Sequence, residues 1–428
     1  MTSAPAFPLS QRVQRARLSP NAAASARAAA LAAQGRDVIS LTTGEPDFDT
    51  PEPIKQAAIA ALQRGETKYT PTAGTAALRE AIRAKYARDN ALDYSSGQII
   101  VSNGGKQVIY NAFAATLDAG SEVIVPAPYW PSFPDMVRVN DGTPVVVPCD
   151  IAAGFKLTPA VLEAAITPRT RWLVLNTPGN PSGALYGAAE LAALAAVLRR
   201  HPQVLVLLDE LYEHIWFTPE APAHWLQVAP DLKERTLLVN GASKTYAMTG
   251  WRIGWGAGPA ALVQAMVVIQ SQASSGPNAI AQAAVAAALE SADQSFPAQA
   301  RSAYARRAEL VTQAVNAVPG LSLLPPGGSF FAFVHCGGLI GHVRPDGQVI
   351  RTDSDLTEWL LESEGVAAVD GPSYGLSPYF RISTAASDAV LADATARIAQ
   401  AVAALRPPQA ALAAASTVAR VPDAEAAA

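Results

Sequence analysis

Between residues 75 and 310 the chain alternates short apolar runs with longer helix-like segments, and this alternation restricts the fold more than any other feature. Apolar runs too short to be helices, bounded by turn residues and separated by helix-length stretches, are what a mainly parallel sheet covered by helices on both faces requires. The expected strands are Ile99 to Ser102, Val123 to Pro126, Val145 to Val147, Trp172 to Leu175, Val204 to Leu208 and Thr236 to Asn240. Helices are expected between them at Thr75 to Asn90, Lys106 to Leu117, Pro159 to Ile166 and Ala188 to Arg200, with an Ala-rich pair from Pro259 and Asn278.

After Gly320 the pattern changes to strands at Ser329 to Val334, Val366 to Val369 and Tyr379 to Ser383, with helices near Asp355 to Ser363 and Ala389 to Leu405. This is a second, smaller α+β unit. A lone helix and strand at residues 22 to 42 need a partner to bury their apolar faces, so they are assigned to it. The expected division is an N-terminal arm (1–20), part of the small unit (21–50), the large α/β unit (51–310), the small C-terminal unit (311–406) and a disordered Ala-rich tail (407–428).

A chain of 428 residues with 50% hydrophobic and 16% charged side chains can bury a large core. Its net charge of -4 and lack of a long Lys/Arg run give no footprint for nucleic acid or an anionic membrane. No apolar run is long enough to span a bilayer. Cys149 and Cys336 stand alone, outside any metal or disulfide pattern, which fits a reducing cytoplasm. The five histidines, His201, His214, His224, His335 and His342, form neither HxxxH nor HxH, so a metal-dependent enzyme built on them is disfavoured. Arg12, Arg15, Arg17 and Arg27 precede the first acidic residue, Asp37, which raises an organelle transit peptide. An arm lying on a neighbouring surface is preferred, because Arg27 to Gly35 already reads as the end of a helix.

In open α/β sheets, ligands collect beyond the carboxyl ends of the strands. Asn180 follows the strand at 172, Asp209 ends the strand at 204, and Lys244 follows the strand at 236. Each alone is commonly a turn, a cap or a surface residue; together they point at one cavity. Asp209 follows Leu205 to Leu208, so its carboxylate is expected at a buried edge where it needs a cationic partner. Tyr212 projects from the same turn. Gly104 and Gly105 leave the strand at 99 and open a helix with Lys106, a place where backbone N–H groups can approach an anion. The run is neither GxxxxGK nor GxGxxG. Ser243 and Arg252 add a hydroxyl and a guanidinium. Trp130, at the rim after the strand at 123, offers a stacking indole. Arg381 is a charge within an apolar strand, suited to gripping a carboxylate or to a structural ion pair.

An amine that can be desolvated, a phosphate cradle, an acid for a ring nitrogen and an arginine for a carboxylate are what pyridoxal 5'-phosphate chemistry on amino acids demands. Taken with Gly44-Glu45-Pro46-Asp47-Phe48-Asp49-Thr50-Pro51, Thr67-Lys68-Tyr69-Thr70-Pro71, Gly104-Gly105-Lys106-Gln107, Asn176-Thr177-Pro178-Gly179-Asn180-Pro181-Ser182-Gly183, Asp209-Glu210-Leu211-Tyr212-Glu213-His214 and Ser243-Lys244-Thr245-Tyr246-Ala247-Met248-Thr249-Gly250-Trp251-Arg252, the chain resembles the class I aminotransferases of pyridoxal-phosphate fold type I. Within them it is most similar to the bacterial aspartate aminotransferase subgroup, from about Arg12 to Leu405.

The resemblance implies that Lys244 carries the cofactor, Asp209 pairs with its ring nitrogen, and Tyr212 and Asn180 bond its phenolate oxygen. It also implies that Trp130 stacks on the ring and that Gly104, Gly105, Lys106, Ser243 and Arg252 surround the phosphate. Tyr69 would serve the phosphate of a partner subunit, hence a homodimer with shared sites. Gly44, Trp130, Asn180 and Arg381 would hold the amino acid, with Lys106 reading a distal carboxylate. No Arg lies between Ile253 and Ala300, where some aspartate aminotransferases place a distal-carboxylate arginine. The subgroup's Lys-Pro-Ser-Ala-Thr segment is here Arg17-Leu18-Ser19-Pro20-Asn21. Aspartate is therefore the first expected substrate, with aromatic amino acids or prephenate open. A regulator that binds the cofactor without turnover would need a DNA-binding segment, and only a short arm precedes the fold.

Overall fold

A computed structural model of the chain describes residues 7–408. The expected tail falls almost wholly at 409–428, outside the described residues. After β1 (Ile39–Ser40), seven strands build the main sheet: β2 (Ile99–Ser102), β3 (Glu122–Ala127), β4 (Thr143–Pro148), β5 (Thr170–Asn176), β6 (Leu205–Asp209), β7 (Thr236–Gly241) and β8 (Gly254–Ala257). Their order is β2-β8-β7-β6-β5-β3-β4. All neighbours are parallel except those of β8, which is antiparallel to both β2 and β7. The period-two alternation of each strand sends Val101, Leu173, Leu175, Val206, Leu208 and Leu238 into the core on one face. Ile100, Trp172, Val174, Leu207, Leu237 and Val239 enter the core on the other. Two buried faces explain why the strands read as unbroken apolar runs.

Every strand expected before residue 250 is present within about two residues of its expected limits, the usual uncertainty of element ends. The helices at Ala76–Asn90, Gly105–Thr116, Pro159–Ala165, Ala188–Arg200, Ala260–Ala273 and Ala279–Glu290 match as well. β8 has no counterpart among the expected strands. Its Gly-Trp-Gly-Ala sequence carries little strand signal, but glycine is required where a Cβ on Gly256 would stand 2.8 Å from the Val108 side chain.

The second unit holds β9 (Phe331–His335), β10 (Val366–Ala367), β11 (Val369–Asp370) and β12 (Tyr379–Ser383). β11, β12 and β9 form an antiparallel sheet, and β10 pairs in parallel with β1. Helices Asp353–Glu364 and Asp388–Ala403 cover them. Helix Pro20–Ala33 packs there through Ala28, against Leu361 and Ala367, so the N-terminal helix and strand find their burial partner in this unit. A continuous helix, Ser295–Asn316, runs across residue 310. In the arm, Arg12 reaches Asp141 at 3.0 Å. Among the described residues no helix is long and apolar enough to cross a membrane, and no group of three potential metal ligands converges.

Candidate active site

The carboxyl ends of β3, β5, β6 and β7 share one edge of the sheet, and the chemistry-bearing residues gather there. Asn176 and Asp209 are register partners at the ends of β5 and β6. Asn176 donates through Nδ2 to the Asp209 carbonyl at 3.0 Å and accepts through Oδ1 from the Asn180 amide at 2.7 Å. That pair fixes the turn carrying Asn180 beside the acid. Asp209 is 5% exposed. Burial pushes its pKa up to about 7; the Leu211 N–H, at 3.2 Å from Oδ1, opposes the shift and the neighbouring Glu210 adds to it. No cation pairs with it among the described residues.

Lys244 lies in the short helix Ala242–Thr245 that follows β7. Its Nζ donates to the Gly44 carbonyl at 2.6 Å. Burial lowers its pKa to about 8; Glu45 opposes this, while the cations Arg252 and Arg381 reinforce it. The contribution of Arg252 is secondary to desolvation.

The helix Gly105–Thr116 starts with no side-chain cap, and Gly104 before it sits at φ 84°. Its first N–H groups are therefore free to meet an anion, and a helix N-terminus favours negative charge. A Cβ on Gly104 would meet Arg252 Nη2 at 2.3 Å, and one on Gly254 would meet the Gly105 nitrogen at 2.3 Å. The glycines thus let β8, the Gly104 turn and the guanidinium close on one another. Arg252, itself left-handed at φ 56°, is steadied by the Thr249 carbonyl at 2.7 Å. Ser243 is buried beside Lys244.

Arg381 comes from β12, in the second unit, and is fully buried. Its Nη1 donates to Asn180 Oδ1 at 3.1 Å and its Nη2 to the Thr42 carbonyl, while Nε has no partner. The guanidinium lies 4.3 Å from the Phe331 ring centroid. Among the described residues it forms no ion pair, which disfavours the structural-bridge reading and leaves a buried cation whose missing partner is an anion. Tyr212 is held edge-on by Phe330 and Phe331, at 5.3 and 5.7 Å. Trp130 stands edge-on to Phe133, and Lys106 Nζ lies 4.9 Å from its ring. Desolvation and then Arg252 lower the Lys106 pKa.

These groups enclose a cleft of about 140 Å³ lined by Gly44, Gly105, Lys106, Trp130, Asn180, Asp209, Tyr212, Lys244 and Arg381, joined by Asn21, Ile109, Asn176 and Leu211. The sequence matches the class I and II aminotransferase family over residues 36–398. The chain belongs to this family. It is 52% identical over 376 residues to an aspartate aminotransferase of Rhizobium meliloti, covering 88% of this chain and 92% of that protein. It is 50% identical over 390 residues to an aspartate/prephenate aminotransferase of Cereibacter sphaeroides, covering 91% and 97%. The crystal structure of the Rhizobium meliloti aspartate aminotransferase superposes with a TM-score of 0.91 at 49% identity, over 94% of this chain and all of that one. A Thermus thermophilus aspartate aminotransferase solved with maleate gives 0.86 at 40% identity, over 92% of this chain and 100% of that one.

In this aminotransferase Gly104, Ser243 and Arg252 are not among the residues that line the cleft. Tyr69 is not in the chain's own cleft: it is 98% exposed and lines a separate depression with the 274–280 segment. Asn21 and Asn176 were not singled out from the sequence. Asn176 opens a motif that was, and its strand-end position was the available signal. For Asn21 the signal was its place in the Arg17-Leu18-Ser19-Pro20-Asn21 segment; it reaches the cleft because helix Pro20–Ala33 docks on the second unit, where its Oδ1 accepts from the Tyr374 hydroxyl at 3.1 Å.

Proposed function

We propose that this aminotransferase transfers the amino group of L-aspartate to 2-oxoglutarate using pyridoxal 5'-phosphate held at Lys244. The carrying observation is that Asp209 and Arg381, a buried carboxylate and a buried guanidinium without ionic partners among the described residues, line the same cleft as a lysine of lowered pKa. The residues fit the cofactor: the acid lacks the cation that a protonated ring nitrogen supplies, and the glycine cradle admits no Cβ. Bound there, the cofactor contributes an electron-accepting ring and a carbonyl that exchanges amino groups.

The chain's own groups do the rest. Asp209 would keep the proton on the ring nitrogen, and Tyr212 and Asn180 would donate to the phenolate oxygen. Trp130 would stack on the ring, and Gly104, Gly105, Lys106, Ser243 and Arg252 would hold the phosphate. Arg381 and Gly44 fix the amino acid, Arg381 by its carboxylate. Lys244, as a neutral amine, would take the proton from the substrate's alpha carbon and deliver it to the cofactor's former aldehyde carbon. Lys106 at the cleft mouth would read a distal carboxylate. The exposed Tyr69 supports a homodimer in which each subunit lends this residue to the other. The cytoplasm is the proposed compartment, consistent with two buried, free cysteines.

Aspartate is supported by the relatives' names and by the Thermus thermophilus neighbour solved with maleate, a four-carbon dicarboxylate. An aromatic or prephenate reaction is the second reading, favoured by the aspartate/prephenate relative at similar identity. A half-reaction screen separates aspartate from aromatic amino acids as donors. Cofactor-loaded protein is mixed with single amino acids, and the change from the aldehyde to the amine form of the cofactor is followed by absorbance. Aspartate and glutamate should convert it fastest; conversion by phenylalanine alone would replace the first reading with the second.

A further inference from the structure

Behind the cleft, on the side away from Trp130, a buried polar cluster joins the turn after β6 to the turn after β7. The β6–β7 ladder ends at the register pair Asp209 and Val239. Beyond it Asn240 and Gly241 pair with β8 instead, opposite Trp255 and Gly254. The turn that follows Asp209 and the turn that carries Lys244 therefore leave the sheet with no ladder between them, and a side chain spans the gap. Asn240, 2% exposed, donates through Nδ2 to Glu210 Oε1 at 3.2 Å and to Glu213 Oε2 at 2.8 Å. Its Oδ1 accepts from the Gly241 N–H at 2.8 Å. Among the described residues it is the one side chain that bonds both carboxylates.

We propose that Asn240 is a positioning residue that holds Asp209 and Lys244 at working separation by tying Glu210 and Glu213 to the start of the lysine turn. The proposal rests on the reading of Lys244 and Asp209 as the reacting pair. Each carboxylate keeps other partners without Asn240. Glu210 has the Tyr86 hydroxyl at 3.0 Å and His224 Nε2 at 3.0 Å, and Glu213 has Asn90 Nδ2 at 2.6 Å and the Lys85 ammonium. Removing the amide therefore leaves both carboxylates partnered and frees the lysine turn. A small displacement at a reacting centre is costly in rate even when the fold persists.

The test compares Asn240→Ala with Asn90→Ala, which breaks the same cluster without touching β7. In cofactor-free protein, amide hydrogen exchange across residues 241–245 should be about tenfold faster in Asn240→Ala than in the unaltered chain, and unchanged in Asn90→Ala. In the holoenzyme, Asn240→Ala should lower kcat by about 10- to 100-fold with KM for aspartate within about twofold. It should also move the pH midpoint of the bound cofactor's visible band, which Asn90→Ala leaves in place while lowering the melting temperature. If Asn240→Ala does not fold, Asn240→Ser, whose single, shorter hydroxyl cannot donate to both carboxylates, is read in the same way. Unchanged exchange and kcat in the Asn240 variant overturn the proposal, and so does an Asn90 variant that reproduces all its effects. The exchange experiment needs no cofactor, so its failure is separable from failure of the functional reading, which loss of cofactor binding in Lys244→Ala addresses.

Discussion

Lys244 and Gly44, 200 residues apart in the chain, meet through a 2.6 Å hydrogen bond from Nζ to the glycine carbonyl. Two residues earlier, the Thr42 carbonyl accepts from Arg381. The segment leaving β1 is thus gripped by the lysine of the large unit and by the arginine of the small one. Both cations consequently line one cleft.

Replacing Lys244 by alanine should abolish turnover together with the cofactor's visible absorbance; a variant that kept both would remove the mechanism. The amine's pKa of about 8, against an ordinary 10.5, has its own readout. In cofactor-free protein, cyanate should carbamylate Lys244 with a midpoint near pH 8, well below that of exposed lysines, as peptide mass spectrometry would report. The sign for stability follows. The lowered folded pKa makes the charged form a cost that is full below about pH 8 and fades as pH rises toward 10.5.

Asp209→Asn should reduce turnover by about 100-fold or more, because the ring nitrogen loses its charged partner. The same change should stabilise the cofactor-free protein. An acid whose folded pKa is raised from 3.8 to about 7 binds more protons folded than unfolded between those values, so stability falls as pH rises through that window. At pH 8 the variant should be more stable than the unaltered protein, by at most about 4 kcal/mol. Urea unfolding at pH 5 and pH 8 checks this, and a gap that does not widen with pH contradicts it.

Arg381→Lys should lower kcat/KM for both amino acid and oxo acid by about 10- to 100-fold, since an ammonium cannot reproduce the forked contact to Thr42, Asn180 and a carboxylate at once. Steady-state kinetics with a neutral analogue lacking the alpha-carboxylate should show a much smaller difference between the two proteins.

Lys106→Ala should cost aspartate and glutamate about tenfold more in kcat/KM than alanine or phenylalanine. Equal losses across the four amino acids would mean that Lys106 serves only the phosphate end.

Gly104→Ala forces a side chain into φ 84° and against Arg252, so equilibrium dialysis should find the cofactor more weakly held while the fold survives. Gly254→Ala places a Cβ 2.3 Å from backbone nitrogen, which cannot move aside as a side chain can. Thermal melts should find that variant the less stable of the two.

The strand ends and the suspicious polar residues beyond them were legible because both are local signals: a period of two, a bounding turn, a charge after a hydrophobic run. Arg381 could be suspected for the same reason, as a cation in an apolar strand. β8 was not legible, because its glycines carry no strand propensity and are chosen for what crosses above them. The role of Asn240 was hidden too, since the carboxylates it bonds come from another part of the chain.

By itself the sequence determined the α/β alternation, the smaller second unit and the set of groups able to serve a phosphate-bearing aldehyde. Only the tertiary structure decided that Asp209 and Arg381 are buried without ionic partners among the described residues, that Lys244 is desolvated, and that Tyr69 lies outside its own cleft. The reason is physical: periodicity is written in adjacent residues, whereas burial and electrostatic environment are sums over side chains that only folding brings together.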